Sequence, residues 1–265
     1  MIARTILISA IACAVSSAAV RSGKAEADWV SASGICEAGK PLQTAVRLVV
    51  DDGWHTYWIN PGEGGMKISV KWELPDGWVA GELEHPVPKR FMTGELPGFG
   101  YEGTVIFPVK FTPPADFKGA AKLKGKVSWL TCNEASCVPG NAELELSVES
   151  GQPQTAAEGN LIAEALWKIP RPAHAGSLKV LENEKTLLIT IESPDKGLDP
   201  NEYEIFPATS QVIDSAAKFR FSGGGTHWTA EVPKSEYATK AIKELTLVLA
   251  GKAKQPPISL TWKAE

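Results

Sequence analysis

Apolar and polar side chains alternate with a period of two through much of this chain. Val46, Leu48 and Val50 alternate with Ala45, Arg47 and Val49. Ile68, Val70, Trp72 and Leu74 alternate with Lys67, Ser69, Lys71 and Glu73, and Leu144, Leu146 and Val148 with Glu143, Glu145 and Ser147. Each run predicts a strand with one dry face and one wet face. Turn formers separate the runs at Asp52-Gly53, Pro61-Gly62, Pro75-Asp76-Gly77, Pro97-Gly98 and Pro113-Pro114. Short strands at this spacing, with no long helical pattern between them, predict an all-β antiparallel sandwich.

The pattern changes at Ser150-Gly151-Gln152-Pro153. From Ala156 to Lys168 the apolar residues Leu161, Ile162, Ala165 and Leu166 fall at helical spacing, and Ile169-Pro170-Arg171-Pro172 ends that run. Strand patterns resume from Leu178 to Ile191, from Lys218 to Val232 around Gly223-Gly224-Gly225, from Leu245 to Leu249 and from Ile258 to Trp262. The expected organisation is a first sandwich over 28–150, a linker with one short helix over 151–175, and a second, smaller β domain over 176–265.

The N-terminus reads differently. One positive charge in Met1–Arg4 precedes an uncharged apolar run, Thr5–Val20, and Ala25-Glu26-Ala27 offers small residues at the positions a signal peptidase reads. This predicts a signal peptide over 1–27, cleaved near Ala27, and a periplasmic or secreted product. The apolar run is short for a membrane span, which needs roughly 20 residues, and no other stretch approaches one, so no span is expected in the mature chain. Cys13 leaves with the leader. Cys36, Cys132 and Cys137 remain, an odd number, so one thiol stands outside any intramolecular bridge.

Charge and residue chemistry narrow the function classes. The net charge is −4 with no basic run, which argues against nucleic acid or an anionic membrane surface as partner. His55, His85, His174 and His227 are scattered, and Met66 and Met92 have no cluster around them, so no metal site and no cofactor are expected. Gly223–Gly225 reads as a hairpin turn because no helical pattern follows it. No serine–histidine–acid set or paired carboxylates announce hydrolysis.

The remaining chemistry is "SWLTCNEASCVPG", Ser128 to Gly140. In a strand, Ser128, Leu130 and Cys132 share one face, and Val127, Trp129 and Thr131 share the other. Asn133–Ser136 can turn the chain back and bring Cys137 within bridging distance. As a rivet such a bridge is modest, because closing so short a loop contributes roughly 2 kcal/mol. Strained or exposed bridges are also the more readily reduced ones. On spacing alone a structural rivet and a redox pair stand level. Glu134 between the cysteines opposes a second negative charge nearby, which suits a relay better than a strong oxidant.

Three motifs in order carry a resemblance. They are "DDGWHTYWINPGEGG" (Asp51–Gly65) with the Trp72 strand after it, "GYEGTVIFPVKFTPP" (Gly100–Pro114), and "VSWLTCNEASCVP" (Val127–Pro139). Over about residues 34–150 the chain resembles the N-terminal periplasmic domain family of the thiol:disulfide interchange protein DsbD, especially its copper-tolerance branch, ScsB. "EIFPA" (Glu204–Ala208) is similar to the second β domain of that branch. The resemblance implies immunoglobulin-like sandwiches whose cysteine pair, Cys132 and Cys137, exchanges electrons with periplasmic thioredoxin-fold proteins. Cys137 would form the mixed disulfide and Cys132 would resolve it. It also implies an aromatic-bearing cap loop within Arg90–Gly103, with Phe91, Phe99 and Tyr101 as candidates and Phe91 fitting the order best. The family's acidic cap residues are replaced here by Lys89-Arg90. No membrane or thioredoxin-like segment follows in this sequence, so the resemblance implies a separate electron donor, a membrane protein for instance. Two other classes remain: a non-catalytic secreted binding module with a structural loop disulfide, and a Cu(I)-handling protein.

Overall fold

A computed structural model of the chain describes residues 17–173, 176–194, 198–251 and 255–264. Most of the expected leader, including Cys13, lies outside the described residues, as does His174. The first half is built from β1 (Val20–Ser22), β2 (Ala25–Ser31), β3 (Ile35–Cys36), β4 (Leu42–Val50), β5 (His55–Gly62) and β6 (Ser69–Glu73). It continues with β7 (Val79–Ala80), β8 (Lys89–Thr93), β9 (Leu96–Glu102), β10 (Thr104–Thr112), β11 (Ala120–Cys132) and β12 (Cys137–Ser150). One sheet runs β1-β2-β4-β10-β7; the other runs β3-β12-β11-β5-β9-β8, with β6 paired to β11. The pairings are antiparallel apart from a short parallel contact of β3 with β12.

The period-two pattern is what closes these sheets face to face. Val46, Leu48 and Val50 of β4, Leu144, Leu146 and Val148 of β12, and Val127 and Trp129 of β11 all point into one core. Trp29, Trp58, Trp129, Phe107 and Phe111 are fully buried there, each adding about 1.5–3 kcal/mol of transfer free energy. Such large rings need matching gaps. A Cβ at Gly140 would lie 2.4 Å from the Trp129 ring, and one at Gly125 would lie 2.6 Å from that of Trp72.

The structure bears on two sequence expectations. A cut after Ala27 would pass through the middle of β2, where Ala25 and Ala27 are wholly buried and paired with Val50 and Leu48. β1 lies further upstream still and pairs with β2, so the sheet begins before the expected boundary. Pro97-Gly98 is also no turn: both residues lie inside β9, paired with Met92 and Phe91 of β8.

The short helix is α1, Gly159–Trp167. Its buried residues Ile162 and Ala165 pack on Val30, Ala45 and Ile106, on the outer face of the first sheet. The alternate residues of those same strands face the core, so the sheet is dry on both sides there.

The second half contains β13 (Arg171–Pro172), β14 (Ser177–Glu182), β15 (Thr186–Glu192), β16 (Tyr203–Pro207), β17 (Ser222–Gly224), β18 (His227–Pro233), β19 (Glu244–Gly251) and β20 (Ile258–Lys263). Its sheets run β13-β20-β19-β16 and β14-β15-β18-β17 around a core that includes Leu187, Ile189, Ile191, Leu245, Leu247 and Leu249. The two cores are joined by alternation. Ile205 of β16 faces the second core, while its neighbour Phe206 faces the first and meets Trp58 and Phe99 edge to face. Val248 of β19 enters the first core beside it. The fold is therefore all-β, with one helix laid over the outside of the first sandwich.

Candidate functional site

β11 and β12 form the longest hairpin described, and the cysteines close its tip. They face each other directly in the register, with Cα atoms 4.1 Å apart, and are joined as a disulfide. Facing positions of an antiparallel pair come about this close, roughly 4.5 Å, at the narrow sites of the ladder, so the strand pairing itself brings the sulfurs together. The turn is held by Asn133, whose Oδ1 accepts from the backbone N–H of Ala135 at 2.9 Å and Ser136 at 2.8 Å. Asparagine commonly makes this self-bonded turn.

Alternation places the bridge on the outer face of the sheet. Leu123, Val127, Trp129 and Thr131 point inward, while Lys122, Lys124, Lys126, Ser128, Leu130 and Cys132 point outward. The lysines nearest the base pair with Glu145, Glu143 and Glu73 across the ladder. At the tip the environment changes sharply. Cys132 is wholly buried although it lies on the outer face, whereas Cys137 is exposed.

What buries Cys132 begins with the next strand. His55 of β5 is its cross-strand partner, and Glu102 of β9 is the partner of His55 in turn. Residues facing one another across strands share a face, so Cys137, Cys132, His55 and Glu102 form one row across four strands. His55 is 6 % exposed. Burial pushes its imidazole pKa down against the opposing pull of Glu102, and its Nε2 is 2.9 Å from Thr93 Oγ1. It is thus a buried, hydrogen-bonded histidine, with Trp58 and Thr56 on the opposite, inward side.

Phe91 stacks on His55 in this row. Its ring centroid is 3.8 Å from that of His55 and 5.6 Å from that of Tyr57. The ring rests in a gap left by two glycines. A Cβ at Gly98 would come within 2.6 Å of it, and one at Gly100 within 2.9 Å. The glycine spacing in "PGFGYEG" therefore marks where the aromatic residue lies, a signal legible in the sequence once β9 is read as a strand and not as a turn. The other two cap candidates are corrected. Phe99 and Tyr101 alternate with those glycines, so they face inward and are 1 % and 7 % exposed. Tyr101 donates its hydroxyl to the Pro86 carbonyl at 2.7 Å, a core contact.

Arg90, beside Phe91 in β8, points the other way. Its guanidinium lies over Phe99 and Phe206 at 5.0 and 5.3 Å. It donates to the carbonyls of Ile205 at 2.8 Å and Ser215 at 3.2 Å, with Glu204 3.6 Å away. Burial lowers its pKa, opposed by Glu204, but a guanidinium keeps its charge in proteins. Asn60 makes a second link, donating to the Pro207 carbonyl at 2.7 Å and accepting from Gly62 N–H at 3.1 Å. Neither role was readable in the sequence, because both partners are backbone carbonyls more than a hundred residues away.

Cys36 is a buried core thiol, 1 % exposed, whose pKa is pushed up by burial. Met66 and Met92 are exposed. Among the described residues no group of three or more His, Cys, Asp or Glu side chains is placed to hold a metal ion. Among the same residues no helix is long and apolar enough to cross a membrane.

Residues 25–149 match the family model described as thiol:disulfide interchange protein DsbD, N-terminal. No curated protein matches the chain in sequence. Among solved structures, the crystal structure of the N-terminal periplasmic domain of ScsB from Proteus mirabilis superposes with a TM-score of 0.68 at 17 % identity. That match covers 95 % of this chain and 99 % of the other, so the likeness of fold extends over both sandwiches.

Proposed function

Residues 25–149 belong to the DsbD N-terminal family, and from that premise we propose that the protein exchanges disulfide for dithiol with periplasmic thioredoxin-fold partners through Cys132 and Cys137. The observation that carries this reading is the asymmetry of the bridge: one cysteine is exposed at a hairpin tip and its partner is wholly buried under a covered face.

Thiol–disulfide exchange requires in-line attack by a thiolate on an accessible sulfur. Cys137 offers that sulfur. In the direction that reduces the pair, a partner thiolate attacks Cys137 Sγ, the Cys132–Cys137 bond breaks, and Cys132 leaves as a thiolate that takes up a proton. The partner's second thiolate then attacks its own sulfur in the mixed disulfide and displaces Cys137, which is protonated in turn. The partner has lost two electrons and two protons, and the pair has gained them. In the opposite direction the Cys137 thiolate attacks a partner disulfide, and Cys132 resolves the intermediate by reforming the internal bridge. The buried position of Cys132 suits a resolving thiol, because only a sulfur already in line with it can be reached.

The Phe91 ring stacked on His55, the cross-strand partner of Cys132, supports the same reading as a cap beside the pair. A periplasmic location follows from the family and from the oxidising compartment such a pair needs. The second sandwich, over 176–265, contributes to the surface presented to the thioredoxin-fold partner.

The test is the reduction potential of the pair, from thiol counts after equilibration in glutathione or dithiothreitol buffers. Exchange proteins lie at roughly −180 to −270 mV, and structural disulfides below about −300 mV. A value in the first range, together with capture of a thioredoxin-fold protein by Cys132→Ser but not by Cys137→Ser, supports the proposal. A value in the second makes the bridge a rivet and sinks it.

A further inference from the structure

β8 carries Phe91 and is the last strand of its sheet, so backbone pairing holds it along one edge only. The turn beyond it is exposed, with Met92 at 53 % and Leu96 at 43 %. On its unpaired side lies a cleft of about 500 Å³ between the cap hairpin and the second sandwich, lined by Arg90, Met92, Pro97, Tyr203, Ile205 and Phe219 among others. A single edge strand beside an open cleft is free to lift unless something crosses the gap. Arg90 crosses it. Its fork takes two backbone carbonyls on the far side, and its guanidinium lies over the Phe99 and Phe206 rings, which meet each other edge to face. The Ile205 carbonyl belongs to β16, itself an edge strand, so two free sheet edges meet through one side chain.

We infer that Arg90 is a positioning residue for Phe91, through which the second sandwich holds the cap over the face where Cys132 is buried and so sets the rate at which the Cys132–Cys137 pair reacts. Cys137 stays open to attack, but Cys132 must leave as a thiolate, which burial disfavours. This deepens the exchange function proposed above and rests on it. Closed and open caps are two states of one hairpin, and a contact made only in the closed state shifts their ratio by its own strength. Carbonyl acceptors suit such a clamp, because they are fixed by the β16 backbone and by the Ser215 turn and do not depend on pH. Lysine could not replace the fork, since an ammonium cannot reproduce the planar two-point geometry.

The experiment uses the whole mature protein and dithiothreitol as the attacking thiol, and follows both the rate of reduction and the equilibrium potential. In Arg90→Met, which keeps an apolar stem over the two rings, the rate constant rises about tenfold, the change that about 1.4 kcal/mol taken from the closed state produces. The potential stays at the wild-type value, because the cap covers oxidised and reduced pairs alike. Arg90→Lys falls between the two and carries the test if the methionine variant folds poorly. In a Phe91→Ala background the rate is already raised, and adding Arg90→Met raises it no further, the non-additivity expected of residues acting as one unit. An unchanged rate in Arg90→Met, or the same acceleration with and without Phe91, overturns the clamp and leaves Arg90 as interface packing. A wild-type bridge that dithiothreitol leaves oxidised removes the exchange function and the clamp with it. An exchanging bridge indifferent to Arg90 removes the clamp alone.

Discussion

Gly98 lies beneath the ring of Phe91, and the Cβ it lacks would sit 2.6 Å from that ring and against no backbone atom within the nearest contacts. Gly98→Ala therefore displaces the ring and leaves the strand intact. His55 then loses cover, and since burial is what lowers its pKa, the pKa should rise toward the ordinary 6.5. Titration of the imidazole by NMR reads this directly; an unchanged value would mean that Phe91 does not shield the row. Gly100→Ala should behave differently. Its Cβ would meet the Thr56 carbonyl oxygen at 1.9 Å, so β5 and β9 must separate, at a cost of at least the about 1–3 kcal/mol typical of overpacking.

The exposure difference within the bridge gives a second expectation. After reduction, iodoacetamide should modify Cys137 well ahead of Cys132, and Cys36 last of all because it is buried with a raised pKa. Peptide mass spectrometry at timed intervals resolves the order. Equal rates at Cys132 and Cys137 would contradict the assignment of attacking and resolving roles.

Phe206 ties the two cores together. Phe206→Ala should cost about 3–5 kcal/mol, the range for a fully buried phenylalanine, and should let the two sandwiches unfold at separate denaturant midpoints. A single transition with little loss would show that Arg90 and Asn60 hold the interface without it.

His85 packs on Phe107 with its Nδ1 buried and without a hydrogen-bond partner, and burial, reinforced by Lys67, pushes its pKa down to about 4. Below pH 6.5 the unfolded chain takes up a proton there that the folded chain refuses until about pH 4. Stability should therefore fall as pH drops through that window, by on the order of 2–3 kcal/mol. His85→Leu should flatten the dependence, as measured by urea unfolding at pH 4.5 and pH 7. A slope unaffected by the substitution would assign it to other groups, His55 among them.

The N-terminal strands make a further prediction. A chain starting at Asp28 lacks β1 and the buried Ala25 and Ala27, so it should melt well below one starting before Val20. If the two melt together, β1 and the start of β2 add nothing to the sandwich.

Much of this was readable in the sequence where a strand has one wet face. The β4 and β12 alternations identified their buried residues one by one, and parity put Cys132 on the face of Ser128 and Leu130, which the structure turns outward. Parity does not reveal what covers an outward face. Cys132, His55 and Tyr57 are on the exposed side by pattern, yet all three are buried, and the β8 residues Phe91 and Thr93 lie against His55. Pro97-Gly98 misled for the same reason, because glycine there answers to an aromatic ring and not to a turn. Ala25-Glu26-Ala27 was ambiguous in a different way: small residues suit a peptidase site and also a strand pressed between others. Phe206 and Arg90 were least legible, since each meets residues from the other sandwich and no local pattern records such a contact.

The bridge closes a hairpin whose strands are thirteen and fourteen residues long and paired along their whole length. The covalent loop it makes lies entirely beyond that zipper, so opening it unties no other part of the chain. Oxidised and reduced forms should then differ at the fingertip and scarcely anywhere else. A partner that must choose between them has no change of overall shape to feel. It has to sense the two sulfur atoms themselves, which places selection and chemistry on the same few ångströms of surface.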